Sequence, residues 1–261
     1  MNIGFLGCGL IAEPMVRSLC RNFPDARIAL SKRSESTTRR LSKSFRNVSV
    51  GNNQWVLDRS EIVVLSLLAG VAREILPGLV FRDGQQVISV MADIGLPEVS
   101  ELIAPAQHPC VTIPLPFIET GGCPLPVYPR SRILEVLFGQ ENTIIPQSSE
   151  EDMGPHFAAT AILSVLMAQL DCTRRWLESK AGNPEDAEIY VASLVSGYLG
   201  SLQKDGKERF VEAMKDLSTK GGLNTQLLGH HRDAGLLEVL ENGLDGLDRR
   251  LRGATRPGLT P

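Results

Sequence analysis

Gly7-Cys8-Gly9-Leu10-Ile11-Ala12 follows a short apolar run, Ile3 to Leu6, and leads into a helical pattern, Glu13 to Cys20. A glycine-rich turn in that setting is suited to a diphosphate. Gly7 permits a tight turn, Gly9 lets the backbone approach the anion, and Ala12 allows close packing of helix on strand. The first N–H groups of the helix then face the negative charge. The strand before and the helix after are what give a G-x-G-x-x-A spacing its meaning. Gly7, Gly9, Leu10 and Ile11 are therefore expected to hold the pyrophosphate of a dinucleotide.

In such a site an acidic residue about 20 residues beyond the glycines accepts hydrogen bonds from the ribose hydroxyls of NAD. Here the place reads Ser31-Lys32-Arg33-Ser34. Two cations and two hydroxyls suit a 2′-phosphate, because Arg meets it with a planar fork and Ser donates to its oxygens. The expected cofactor is NADPH in preference to NADH.

Hydride chemistry belongs to such a cofactor, and the protein must hold the acceptor and exclude water. Thr160 and Ser164 lie one helical turn apart, so both hydroxyls can address one pocket. The alternative is that each bonds the carbonyl one turn back. Asn224 and Thr225 follow Gly221-Gly222 at a helix start, where they bind a carboxylate or simply cap the helix. His156 and His230-His231 are of the residue type that serves acid–base chemistry near neutral pH but lie without a third ligand at metal spacing, and a surface or capping role is expected. His108 precedes Pro109 at a strand entry, and Glu119 lies in a loop from Pro114 to Pro129; either can reach the pocket, and the alternative is that the loop serves packing. No metal site is expected.

The elements that position these groups follow from periodicity. Apolar runs at Ile3–Leu6, Arg27–Leu30, Glu61–Leu67, Gln86–Val90, Cys110–Ile113 and Thr143–Ile145 alternate with helix-like stretches. That alternation is the mark of βα units around a largely parallel sheet. After Pro146 the pattern is helical: about Gly154–Ser179, Pro184–Leu202, Gly206–Thr219 and Asp233–Arg252. The expected fold class is α/β, a Rossmann dinucleotide-binding domain over residues 1–148 followed by an all-helical dimerisation and substrate domain over 149–253, with a disordered tail at 254–261. Phe157 to Leu170 is apolar around most of its circumference, as expected of a helix buried between other elements, threading between two domains or through a dimer.

Composition narrows the function classes. The chain has 261 residues with 27 basic and 30 acidic side chains, a formal net charge of -3. So balanced a charge gives no field to gather nucleic acid or anionic lipid. The apolar stretch Ile62–Ala72 is short of the roughly 20 residues of a membrane span, and Met1 leads straight into a strand without a secretory signal. A cytoplasmic protein is expected. Cys8, Cys20, Cys110, Cys123 and Cys172 lack the close pairing of zinc sites or disulfide frameworks and read as mostly buried thiols.

The chain resembles the pyrroline-5-carboxylate reductase family. The resemblance rests on the glycine motif at Gly7, on Ser60-Glu61-Ile62-Val63-Val64-Leu65-Ser66-Leu67, on Val87-Ile88-Ser89-Val90-Met91-Ala92 and on Ile113-Pro114-Leu115-Pro116. Thr219-Lys220-Gly221-Gly222-Leu223-Asn224-Thr225 stands in place of that family's Ser-Pro-Gly-Gly-Thr-Thr segment, ahead of Gly235-Leu236-Leu237-Glu238. The resemblance implies hydride transfer from NAD(P)H to a small cyclic imine or imino acid, with a keto acid as a related acceptor, and a homodimer or higher homo-oligomer. It adds Leu67, Leu68, Met91 and Ala92 to the cofactor set and Thr160, Ser164, Asn224 and Thr225 to the acceptor site.

The chain departs from the family where Phe157 to Ser164 replaces a Gly-Ser-Gly-Pro-Ala segment, where Leu68-Ala69 replaces Lys-Pro, and at Phe117-Ile118-Glu119. The substrate need not be that of proline biosynthesis. A β-hydroxyacid dehydrogenase is the alternative enzyme, but it wants a lysine on the interdomain helix and Gly154 to Glu178 has none. A dinucleotide-binding subunit or sensor without turnover is the alternative from another class.

Overall fold

The computed structural model describes residues 1–202 and 208–252. The expected tail at 254–261, and Gly206 and Lys207 of the third expected helix, lie outside the described residues. The chain divides into two compact units, Met1–Phe157 with Leu251 onward, and Ala158–Arg250. The sequence placed the boundary at 148/149.

The first unit is built on β1 (Asn2–Leu6), β2 (Arg27–Ser31), β3 (Val48–Gly51), β4 (Ile62–Leu65), β5 (Gln86–Ser89), β6 (Cys110–Thr112), β7 (Pro124–Tyr128) and β8 (Thr143–Pro146). Among the described residues they form one sheet in the order β3-β2-β1-β4-β5-β6-β7-β8. The pairs from β3 across to β6 are parallel, β7 runs antiparallel to β6, and β8 is parallel to β7. This is a Rossmann sheet, with the order reversing beside β1, where doubly wound sheets open a crevice at their carboxyl ends. The helices between strands are α1 (Ala12–Asn22), α2 (Glu35–Ser44), α3 (Asn53–Arg59), α4 (Ala69–Ile75), α5 (Leu96–Leu102) and α6 (Arg132–Phe138).

Both faces of the sheet are covered, which explains why β4 reads as a continuous apolar run. Ile62 and Val64 join a core with Ile3, Phe5, Ile28 and Leu30 beneath α1, while Val63 and Leu65 join a second core with Val87, Leu57 and Phe81. Each fully buried side chain of this kind contributes about 1.5–3 kcal/mol. The sequence reading missed β3 and β7. It took β7 for loop because Pro124 and Pro126 sit within it.

The helical stretch expected over Gly154–Ser179 is two helices, α7 (Met153–Ala159) and α8 (Ile162–Ala181), divided at Thr160-Ala161. At the break the bonds tighten to Ala158 O from Ala161 N and to Thr160 O from Leu163 N. The second unit holds α8 with α9 (Pro184–Ser201), α10 (Arg209–Leu217), α11 (Leu223–Asp233) and most of α12 (Leu236–Leu251). α11 begins at Leu223, where a helix start was expected at Asn224 and Thr225 although 220–232 was not among the expected helical stretches. Asn183 caps α9 by accepting from the N–H groups of Glu185 and Asp186.

The expectation that the apolar stretch of α8 is buried fails within the single chain. No residue of α8 is buried, and Ile162, Leu163, Val165 and Met167 are exposed. By length and composition alone, Met153–Ala181 also passes as a membrane span, which the sequence reading did not consider. Its division into two helices at Thr160-Ala161 fits that role poorly.

Candidate functional site

The glycine turn leaves β1 at the sheet's carboxyl edge. Gly7 has φ +90°, and a Cβ there would collide with the Ser66 carbonyl oxygen, so the turn needs glycine on both counts. The Ser66 N–H donates to Leu6 O at 2.9 Å, which holds the chain leaving β4 against the chain leaving β1. On the other side the Gly7 N–H donates to Ser31 Oγ at 2.8 Å. At Gly9, by contrast, an added Cβ would meet nothing within 4 Å. The space over the turn at Gly9 is therefore open. Ile11 at the start of α1 offers no side-chain cap; the Glu13 N–H donates to Gly9 O at 3.0 Å and Pro14 has no N–H, which leaves Ala12 as the position of the first turn that presents an N–H to an anion.

Leu10 is 88% exposed, and Leu68, which opens α4 after β4, is 79% exposed. These two apolar side chains stand on the loops that flank the crevice. Leu67 lies beside the turn, its Cδ2 in contact distance of Gly7. Ala92 is exposed at the end of β5, but Met91 is only 2% exposed and packs into the core with Val87 and Ile94. Its side chain packs in the core, so a contact with a cofactor from this residue would fall to its backbone.

At the end of β2, Lys32 and Arg33 are exposed, and neither forms an ion pair among the described residues. The Lys32 N–H donates to Gly51 O at 3.1 Å, which fixes the turn. Ser34 opens α2 without using its hydroxyl as a cap. These three residues keep donors for a phosphate. Ser31, by contrast, is 1% exposed, and its oxygen accepts from the Gly7 N–H.

Sequence reasoning also missed Arg40. Glu13, in the first turn of α1, is held by Arg40 of α2 at 2.6 Å and by Arg17 at 2.8 Å. Hydrogen bonds from Arg40 hold its carboxyl below the usual range, with Arg17 adding to the effect. Only the Glu13–Arg17 pair, one helical turn apart, was visible in the sequence.

A cavity of about 440 Å³ opens in the first unit, lined by Ala92, Ile94, Val111, Met153 and Phe157 with Asp93, Glu98, Glu150, Glu151 and Arg252 among its charged residues. His108 enters β6 with φ +57° and lines a different cavity with Gln86 and Arg132, at the amino edge of β5 and β6, away from the glycine turn. Glu119 closes a short 3-10 turn, Pro116–Glu119. His156 Nδ1 lies 2.8 Å from Asp152 O, and His231 Nδ1 lies 3.1 Å from Leu227 O. Both imidazoles are engaged on their own helices. No His, Cys, Asp and Glu cluster among the described residues could hold a metal.

In the second unit Thr160 sits in the break before α8 and Ser164 in its first turn, exposed, so the two do not share one continuous helical face. Asn224 is exposed in the first turn of α11. Thr225 Oγ1 donates to Thr219 O at 3.0 Å, closing its loop. This is the capping alternative.

Residues 2–93 match the family described as NADP oxidoreductase, coenzyme F420-dependent. No curated protein matches the sequence. In fold the chain is similar to a pyrroline-5-carboxylate reductase from Coxiella burnetii, with 17% identity, TM-score 0.80, and 98% of this chain and 99% of that one covered. It is similar to the enzyme of that name from Streptococcus pyogenes, with 15% identity, TM-score 0.81 and coverage of 97% and 98%. A Plasmodium falciparum pyrroline carboxylate reductase with NADP bound gives 11% identity, TM-score 0.83 and coverage of 97% and 98%. The chain thus has the fold of these proteins along nearly its whole length.

Proposed function

We propose that the chain is an NADPH-dependent reductase that delivers hydride to a small cyclic imine or imino acid. The observation that carries the cofactor half is the pairing of open space at Gly9 with two unpaired cations, Lys32 and Arg33, one strand away. The NADP-bound Plasmodium falciparum structure of the same fold and the NADP oxidoreductase family match support it. The reductases among the similar folds support the acceptor half.

NADPH, when bound, supplies the hydride. The chain's own residues do the rest. Backbone N–H groups from Gly9 to Ala12 bind the pyrophosphate, and Lys32, Arg33 and Ser34 bind the 2′-phosphate. Leu10, Leu67 and Leu68 cover the dinucleotide with apolar surface and exclude water. In the helical unit Thr160, Ser164 and Asn224 offer polar groups to the acceptor, while Thr225 holds the loop that presents Asn224.

The helical unit also forms a homodimer. A groove of about 410 Å³ between α8 and α9 is lined by Leu166, Met167, Leu170, Val191 and Leu199, and Ile162, Leu163, Val165, Ile189 and Leu194 of the same two helices are exposed, an apolar surface that a second copy would cover. Four buried free thiols fit a reducing compartment, the cytoplasm.

Steady-state oxidation of NADPH tests the reading, with pyrroline-5-carboxylate, pyrroline-2-carboxylate, piperideine carboxylates and 2-keto acids as acceptors and NADH in parallel. Turnover with a cyclic imine is expected. Tight NADPH binding with no acceptor reduced would move the chain to the class of non-catalytic binding subunits.

A further inference from the structure

The hydrogen bond from the Gly7 N–H to Ser31 Oγ joins the two strand ends that serve different phosphates of the proposed cofactor. β1 ends in the glycine turn, and β2 ends in Ser31, next to the cations Lys32 and Arg33. The turn also touches the chain leaving β4, through Ser66, and the Glu13 N–H donates to Gly9 O at 3.0 Å, but on the β2 side the Ser31 bond holds it. Gly7 and Gly9 have wide conformational freedom, and a bonded N–H at the first of them restricts where the rest of the turn points. The Ser31 hydroxyl is buried, so water cannot replace it as the acceptor, and a buried donor left unpaired forces the turn to shift.

We propose that Ser31 is a positioning residue that preorganises the pyrophosphate-binding turn, and that it does not touch the 2′-phosphate. This rests on the dinucleotide reading above and reassigns Ser31 within it. A preorganised loop binds more tightly because it loses less freedom on binding. Removing the acceptor therefore weakens every ligand that carries the pyrophosphate, by one common factor, and spares a ligand that carries only the 2′-phosphate.

The test is calorimetric titration of wild type, Ser31→Ala and Ser31→Thr with NADPH, NADH and 2′-AMP, with melting temperatures in parallel. Ser31→Ala is expected to weaken NADPH and NADH alike, by about tenfold, equivalent to ~1.4 kcal/mol, with 2′-AMP unchanged. Ser31→Thr keeps the acceptor and is expected to restore both. Loss confined to NADPH and 2′-AMP would make Ser31 a direct 2′-phosphate ligand and overturn the proposal. A lowered melting temperature with unchanged affinities in the folded variant would make it purely structural, and would overturn it too. If wild type binds none of the three ligands, the dinucleotide reading fails, and the proposal with it, before any variant is compared.

Discussion

The Arg40 guanidinium grips the Glu13 carboxylate at 2.6 Å, tying α2 to the first turn of α1 at the end that faces the proposed pyrophosphate. A carboxylate in a first turn favours the helix dipole but repels a phosphate bound at the same N-terminus, so neutralising it serves the site. Arg40→Ala is expected to weaken NADPH and NADH equally, by roughly 0.5–1 kcal/mol. Adding Glu13→Gln should restore both, which a double-mutant cycle on binding would show.

The same pair gives a pH dependence. A carboxyl held low by its partners contributes stability above its ordinary pKa and loses it as pH falls through the depressed value. The melting-temperature gap between wild type and Arg40→Ala is therefore expected to be open at neutral pH and to close below the usual carboxylate range. A gap that widens in acid would contradict this.

Gly7 and Gly9 are expected to separate folding from binding. Gly7→Ala places a methyl against the Ser66 carbonyl at φ +90° and should lower the melting temperature clearly. Gly9→Val enters open space and should leave melting nearly unchanged while abolishing dinucleotide binding.

The basic turn sets cofactor preference. Replacing Lys32 and Arg33 with alanine should cost NADPH roughly 1–3 kcal/mol of binding while NADH changes little. Equal loss for both cofactors would remove the 2′-phosphate from this turn.

Burial pushes the Cys8 thiol up to about 12 and those of Cys20 and Cys110 up to about 11. Thiols so protonated are poor nucleophiles near neutral pH. A thiol reagent should label at most Cys172 in the native protein, the one exposed cysteine, and all five after denaturation. Rapid native labelling of Cys8 would contradict the closed turn.

What could be read from the sequence followed locality. β1, β2, β4 and β5 announced themselves because both faces of the sheet are buried and their apolar runs are unbroken. β7 did not, since prolines within a run argue against a strand. The break at Thr160-Ala161 lies in an alanine-rich stretch with neither Gly nor Pro to mark it. Gly7 and Gly9 were legible because one local motif contains them. The Ser31–Gly7 bond and the Arg40–Glu13 pair were not legible, because each joins partners across a gap in sequence that no local pattern encodes.

Titration of the wild-type protein with NADPH and NADH, followed by the fluorescence of the reduced nicotinamide, tests the central claim most directly. Saturable binding of both is predicted, with NADPH tighter by roughly tenfold or more. Absence of saturable binding, or a clear preference for NADH, would contradict the assignment of the glycine turn and the Lys32-Arg33-Ser34 segment to an NADPH site.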